Sequence, residues 1–361
     1  MKKTVLRILA GILLAGVLFF TVGGLWMFGE ILKAVNTVQP LESGLYAMEF
    51  AGDYGFDAFL ERGGASSDEA VANYLTEFLS RGFYKADTTV STGDFGCSTV
   101  CVKNRGGNVV FGRNYDWAPC RAIIVHTVPR QGYASVSTCC LDFLGFGEDH
   151  RPDGAVMERM LTLAAIYVPL DGMNEKGLMV ADLIAGDDEV THQDSGKTDL
   201  TTTTAIRLLL DRAATVDEAV ALLEQYDMHS SIGSAHHLSI ADASGKSVVV
   251  EYIGGQMSVT ETPIVTNHYL TPGEKNGIGS EQSHLRFDML SEQLEAGETD
   301  VTWLLRSVAQ ENFPQSQNDY ERTMWSIVYH PEEKTASFCF NENFDHCYRL
   351  ALDTKYSWLV R

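Results

Sequence analysis

Apolar side chains recur at helical spacing in several stretches of this chain. Ala70, Val71, Tyr74, Leu75, Phe78 and Leu79 form one stripe behind the capping box Ser66-x-x-Glu69, so the spacing predicts a helix, with Gly82 as its stop. Ile206, Leu209, Leu210 and Ala213 mark a second helix over 201–213. Thr215-x-x-Glu218 opens a third that runs to Tyr226, and the two make a helical hairpin. Segments 283–294 and 300–309 read as further helices.

Between these stretches the pattern is that of strands. Thr99–Val102 and Val109–Phe111 flank Asn104-Arg105-Gly106-Gly107, which predicts a hairpin. Segment 122–128 is another strand. Segments 237–241, 247–252 and 257–260 are strands joined by the turns 242–245 and 254–255, and 326–329 with 336–340 closes a last hairpin. Segment 160–168 fits helix or strand equally. Residues 29–65 read as a tether entering the folded part. Strands on both sides of the helix pair favour layered sheets and helices, an α+β arrangement, over a parallel wound fold.

The N-terminus has a different pattern. Lys2, Lys3 and Arg7 precede an uncharged run from Ile8 to Phe28. At about 1.5 Å per helical residue this run just crosses a hydrocarbon core of about 30 Å. The leading charges predict an exported domain behind either a retained membrane anchor or a signal peptide over 1–30. The net charge of −21 argues against binding nucleic acid or an anionic lipid surface through basic patches. An apolar share of 45% is ample for a core. Seven cysteines in an exported chain permit disulfides, and their odd number leaves a thiol free, for which Cys97 is the candidate. His236-His237 and His346-Cys347 are adjacent pairs without ligand spacing, so no metal is expected.

The candidate chemistry sits in Gly96-Cys97-Ser98-Thr99 and Phe111-Gly112-Arg113-Asn114-Tyr115-Asp116-Trp117. A cysteine attacks as thiolate, which a nearby Arg113 would favour. A carboxylate such as Asp116 could hold an amine, including the α-amine of Cys97 if the Gly96–Cys97 bond were cut. The plainer alternative is a buried cysteine in one strand and a solvated Arg–Asp pair in the next. Asn267 ends the β-branched run Ile264-Val265-Thr266, where an amide either caps a strand or donates to an oxyanion. Arg286 stands at the start of a helix, in Ser283-x-x-Arg286-Phe287. Cys101 follows Val100 rather than a glycine and is assigned to packing.

In this order, with Asn174-Glu175-Lys176-Gly177-Leu178, the pieces resemble the choloylglycine hydrolase family of linear-amide C–N hydrolases. That family includes bile salt hydrolases, penicillin V acylases and, more distantly, the isopenicillin acyltransferase-like peptidases. The resemblance runs from Gly96 to the C-terminal hairpin. It implies an N-terminal-nucleophile fold, a four-layer αββα sandwich over 97–361, preceded by a tether and propeptide-like segment over 31–96. It implies that Cys97 becomes N-terminal and attacks the amide carbonyl while its α-amine shuttles the proton. Arg113 would sit by the thiolate, Asp116 would hold the α-amine, Asn267 would donate to the oxyanion and Arg286 would complete the polar network. Asn174 and Ile184 would lie at the substrate and oxyanion positions. Ile184 replaces a residue that is often asparagine in the bile salt hydrolases, so its backbone N–H would have to serve. Those enzymes expose their cysteine by little more than removal of methionine, whereas 96 residues precede Cys97 here, so cleavage at Gly96–Cys97 is required.

The expected activity is hydrolysis of a small-molecule N-acyl amide through an acyl thioester, with no metal or cofactor. The alternatives are an acyltransferase, an uncleaved protein that only binds an acyl ligand, and a Cys–His protease using His236, His237 or His268. Segments 141–147 and 169–173 are expected at the pocket entrance.

Overall fold

The computed structural model describes residues 29–80, 96–186, 189–312, 322–352 and 358–360. The expected anchor run 8–28 and the expected helix stop Gly82 lie outside these residues. Among the described residues no helix is long and apolar enough to cross a membrane.

Two large sheets dominate. One has nine strands, in the order 39–42, 45–52, 122–129, 135–140, 171–174, 179–184, 236–241, 247–253 and 256–261. The other has seven, in the order 264–265, 96–103, 109–117, 322–330, 335–340, 347–351 and 359–360. Their inner faces share a core that includes Phe111, Met173, Leu183 and Trp325. On the outer face of the nine-stranded sheet lie Thr202–Arg212, Val216–Leu223 and Asp68–Ser80, through Leu209, Leu223, Val71 and Leu75. Glu281–Glu295 and Val301–Ser307 cover the outer face of the seven-stranded sheet, through Leu290, Leu304 and Leu305. The layers are therefore helix, sheet, sheet, helix: mixed helices and sheets, as the pattern predicted, in the four-layer order that the resemblance implied.

The helix starts agree with the capping signals to within a residue or two. Thr201 and Thr215 accept from Thr204 N and Glu218 N at their helix starts, and Ser280 and Asp300 do the same for the last two helices. The first helix departs from expectation: Ser67, not Ser66, accepts from the Ala70 N–H, at 3.2 Å. The ambiguous 160–168 stretch is helical, formed by Val156–Leu161 and a 3-10 turn, Thr162–Ile166. A disulfide joins Cys339 to Cys347.

The segment expected as a tether is corrected. Leu45–Gly52 pairs in parallel along its whole length with Ala122–Pro129, inside the nine-stranded sheet. Its residues Tyr46, Met48 and Phe50 face the helix layer and Leu45 and Ala47 the inter-sheet core. Burial on both faces removes the two-residue alternation by which an isolated strand is recognised, so the segment does not look like a strand in the sequence.

The turn after Asp171–Asn174 is held by one amide. Asn174 Nδ2 donates to the carbonyls of Leu210 and Ala213 at 3.0 and 2.7 Å. Its Oδ1 accepts from the N–H groups of Lys176 and Leu178. Gly177 completes the turn with φ of +86°, a conformation that an L side chain rarely adopts.

Two outcomes follow. Asn174→Ala orphans buried backbone groups at the end of a helix and should cost about 2–3 kcal/mol by chemical denaturation; a loss below about 0.5 kcal/mol contradicts the anchoring role. A protease site engineered between residues 80 and 96, then cut, should leave two pieces that co-elute in gel filtration and part only in denaturant. Separation in buffer would show that the 45–52 strand is dispensable to the sheet.

Candidate active site

Strand alternation sorts the candidate residues. Gly96–Lys103 and Val109–Trp117 pair antiparallel, with Gly96 opposite Asp116, Cys97 opposite Tyr115 and Thr99 opposite Arg113. Residues 109, 111, 115 and 117 belong to the inter-sheet core, as do Cys97 and Cys101. Residue 113 shares their parity, whereas Gly112 and Asp116 face the helices. Being three apart, Arg113 and Asp116 point to opposite faces of one sheet. They are not a pair with each other.

On the inner face Arg113 is fully buried. It pairs with Asp171 of the opposite sheet, donates to the Asp182 carbonyl at 2.9 Å and lies 3.6 Å from Cys97 Sγ. Trp325 Nε1 and the Tyr329 hydroxyl also donate to Asp171, at 3.1 and 2.6 Å. Burial alone would lower the Arg113 pKa, but the Asp171 carboxylate and Cys97 outweigh it and raise it, so the guanidinium is charged.

On the outer face Arg286, in the Glu281–Glu295 helix, is also buried. It donates to the Cys97 carbonyl at 2.8 Å, to Ser98 Oγ at 3.1 Å, to Asp116 Oδ2 at 3.0 Å and to Asn267 Oδ1 at 3.0 Å. Asn267 Oδ1 also accepts the Cys97 N–H at 2.6 Å, and its Nδ2 donates to the Ile184 carbonyl at 2.8 Å. One N–H of that amide is thus left for another acceptor. Asp116 further accepts from Thr323 Oγ1 and Gln310 Nε2. A Cβ on Gly96 would meet Asp116 Oδ2 at 2.9 Å, so this position admits only glycine without a shift.

Sequence reasoning and structure disagree at three places. Asn174, assigned to the substrate and oxyanion site, is corrected: its amide is used up by four backbone groups, and it does not line the cavity described below. Arg113 favours the Cys97 thiolate, as expected, but it does not by itself secure that form in the chain as it stands. Burial pushes the thiol up to about 11, and the guanidinium, already matched by Asp171, offsets only part of that. To act as a nucleophile, the Cys97 thiol would need a base. Finally, Asp171, Thr323, Gln310, Trp325 and Tyr329 were not anticipated. The sequence signal was faint, since each is a single polar or aromatic residue with a partner in the site at least 58 residues away.

Cys97, Arg113 and Ile184 open onto a cavity of about 320 Å³. Its walls are apolar: Val71, Leu75 and Leu79 from one helix, Met157, Met160, Leu161 and Ala164 from the helical segment after it, with Val168. Phe143, Leu144 and Leu170 fall within the two segments expected at the entrance. Thr203, Ser231, Asp68, Asp182 and His236 supply its polar part. His237 is bound instead to Glu251 and His268 to Ser283 and Thr266, all buried.

A family model for acyl-coenzyme A:6-aminopenicillanic acid acyl-transferase matches residues 165–345. A penicillin V acylase of Pectobacterium atrosepticum is 34% identical over 99 residues, covering 25% of this chain. The matched stretch spans only 26% of that relative's length. The fold is similar to two solved mutant forms of the conjugated bile acid hydrolase of Clostridium perfringens. One has a TM-score of 0.56 at 16% identity, covering 73% of this chain and 96% of the other. The second has a TM-score of 0.54 at 16% identity, covering 73% and 94%. These structural likenesses establish a shared fold. With the family match over half its length, the chain belongs to the acyl-coenzyme A:6-aminopenicillanic acid acyl-transferase family, among the acyltransferase-like relatives that its motifs resemble.

Proposed function

We propose that the protein hydrolyses the C–N bond of a linear N-acyl amide, with Cys97 as an N-terminal nucleophile exposed by cleavage at Gly96–Cys97. The observation that carries this reading is the convergence of three groups on the Cys97 backbone and thiol and a fourth on the glycine before it. Arg113 lies beside Sγ, Asn267 Oδ1 accepts the N–H, Arg286 binds the carbonyl and Asp116 lies against Gly96.

Cleavage would turn the Cys97 N–H into an amine. In its unprotonated form it takes the thiol proton, which answers the need created by burial. The sulfur then bonds to the substrate carbonyl carbon, and the oxygen becomes an oxyanion held by the remaining Asn267 N–H and the backbone N–H of Ile184. As the C–N bond breaks, the α-ammonium returns its proton to the departing amine. Water attacks the thioester, giving up a proton to the α-amine, and the acid leaves with the thiol restored. Asp116 and Arg286 position the amine throughout. The apolar walls accept the acyl group.

The family match favours a second reading, in which an amine rather than water takes the acyl group. An uncleaved protein that only binds an acyl ligand is the third. For location, we propose that the 8–28 run anchors an exported catalytic domain, tested by whether the chain partitions with membranes and resists extraction by carbonate.

Cys97→Ala should abolish hydrolysis of every N-acyl amide turned over by the wild type, by at least about a thousandfold, with an unchanged circular dichroism spectrum. Retention of activity by a folded Cys97→Ala protein removes the nucleophile from the account. Asn267→Ala should lower kcat by about a hundredfold or more with a smaller change in KM; a change confined to KM would deny the oxyanion role.

A further inference from the structure

The cavity beside Cys97 has one polar region that the proposed reaction does not use. His236 and Asp182 lie on adjacent strands of the nine-stranded sheet. The His236 Nδ1 sits 2.9 and 3.1 Å from the two Asp182 carboxylate oxygens. A neutral imidazole held this way carries its proton on Nδ1 and leaves Nε2 as an acceptor. Among the described residues that Nε2 has no partner, although His236 is only 2% exposed and lines the cavity. Asp68 lines the same cavity from the first turn of the Asp68–Ser80 helix, and its Oδ1 is likewise buried without a partner. Burial raises the Asp68 carboxyl to about 7 and Asp182 adds to this, so a cation beside Asp68 is what would favour its ionised form.

Two unpaired buried acceptors in one cavity are costly unless a bound group donates to both. A hydroxyl offers a single proton, whereas an ammonium offers three. The charge balance points the same way. Asp68 and Asp182 face the cavity, and the cation that lines it, Arg113, is already matched by Asp171. A carboxylate or sulfonate placed there would sit between two acidic side chains and, among the described residues that line the cavity, meet no unpaired cation.

We propose that this polar region is a subsite for a primary ammonium, so that the ligands of the cavity are N-acyl amines carrying a second, cationic nitrogen. As a statement about substrate, this rests on the amide-hydrolase reading above. As a statement about binding, it stands on Asp68, Asp182 and His236 alone. Asp68 comes from the segment before Cys97, so that segment would take part in choosing the ligand.

The test is calorimetric titration of the full chain carrying Cys97→Ala, with N-decanoylethylenediamine, N-decanoylethanolamine and N-decanoylglycine at neutral pH. The ammonium ligand should bind about tenfold more tightly than the hydroxyl ligand, and the carboxylate ligand about tenfold more weakly than the hydroxyl one. Adding Asp68→Asn should erase most of the ammonium advantage, and Asp68→Glu should keep it. Equal affinities, a reversed order, or no binding of the ammonium ligand would overturn the proposal, and the ranking decides this even if Asp68→Asn fails to fold. Wild-type hydrolysis of the same three amides separates the two ideas. An intact ranking with no hydrolysis removes the enzyme reading alone, and hydrolysis with a flat ranking removes the ammonium subsite alone.

Discussion

The geometry around Cys97 depends on Arg286, a guanidinium removed from water. A buried cation is tolerated only when its N–H groups meet fixed acceptors. Here those acceptors are the Cys97 carbonyl, Ser98 Oγ, Asp116 and Asn267. They come from a strand, its neighbour and the loop before the helix that carries Arg286. Satisfying that one charge therefore fixes how the outer helix layer docks on the seven-stranded sheet, and sets Asn267 against the Cys97 N–H. Arg113 imposes the matching constraint between the sheets, through Asp171 and its partners Trp325 and Tyr329.

Cys97 lies where these two buried charges are closest to the same residue, one on each face of its strand. The inner one lies near the sulfur and the outer one binds the carbonyl. Neither makes the thiol acidic, because burial raises it by more than Arg113 lowers it. The proposed attack then requires a proton acceptor next to the sulfur. The backbone nitrogen of Cys97, held by Asn267, belongs to the same residue and is locked in an amide while the Gly96 bond persists. The same burial that silences the thiol in the intact chain gives cleavage its proposed role as a switch.

Much of this was legible in the sequence, for local reasons. Capping threonines, apolar stripes and the 104–107 turn gave helices and hairpins, because those signals lie within a few residues of each other. Cys97, Arg113, Asp116, Asn267 and Arg286 could be named in advance from their order, and the structure brings all five together. The illegible part was long-range. Asp171 looks like a turn residue until Tyr329, 158 positions away, donates to it. Leu45–Gly52 is buried on both faces and so shows no alternation. Asn174 was misassigned because an asparagine in a turn looks the same whether it serves a ligand or four backbone groups. Asp68, His236 and Asp182 carried no joint signal, being spread over three elements that meet only in the folded cavity.

The account stands on the bond between Gly96 and Cys97. N-terminal sequencing of the purified, catalytically competent chain, with intact mass of both pieces, tests it most directly. The expected result is a second N-terminus beginning Cys97-Ser98-Thr99, in proportion to amide-hydrolysing activity. Full activity in a preparation whose chain is continuous through Gly96–Cys97 would contradict it.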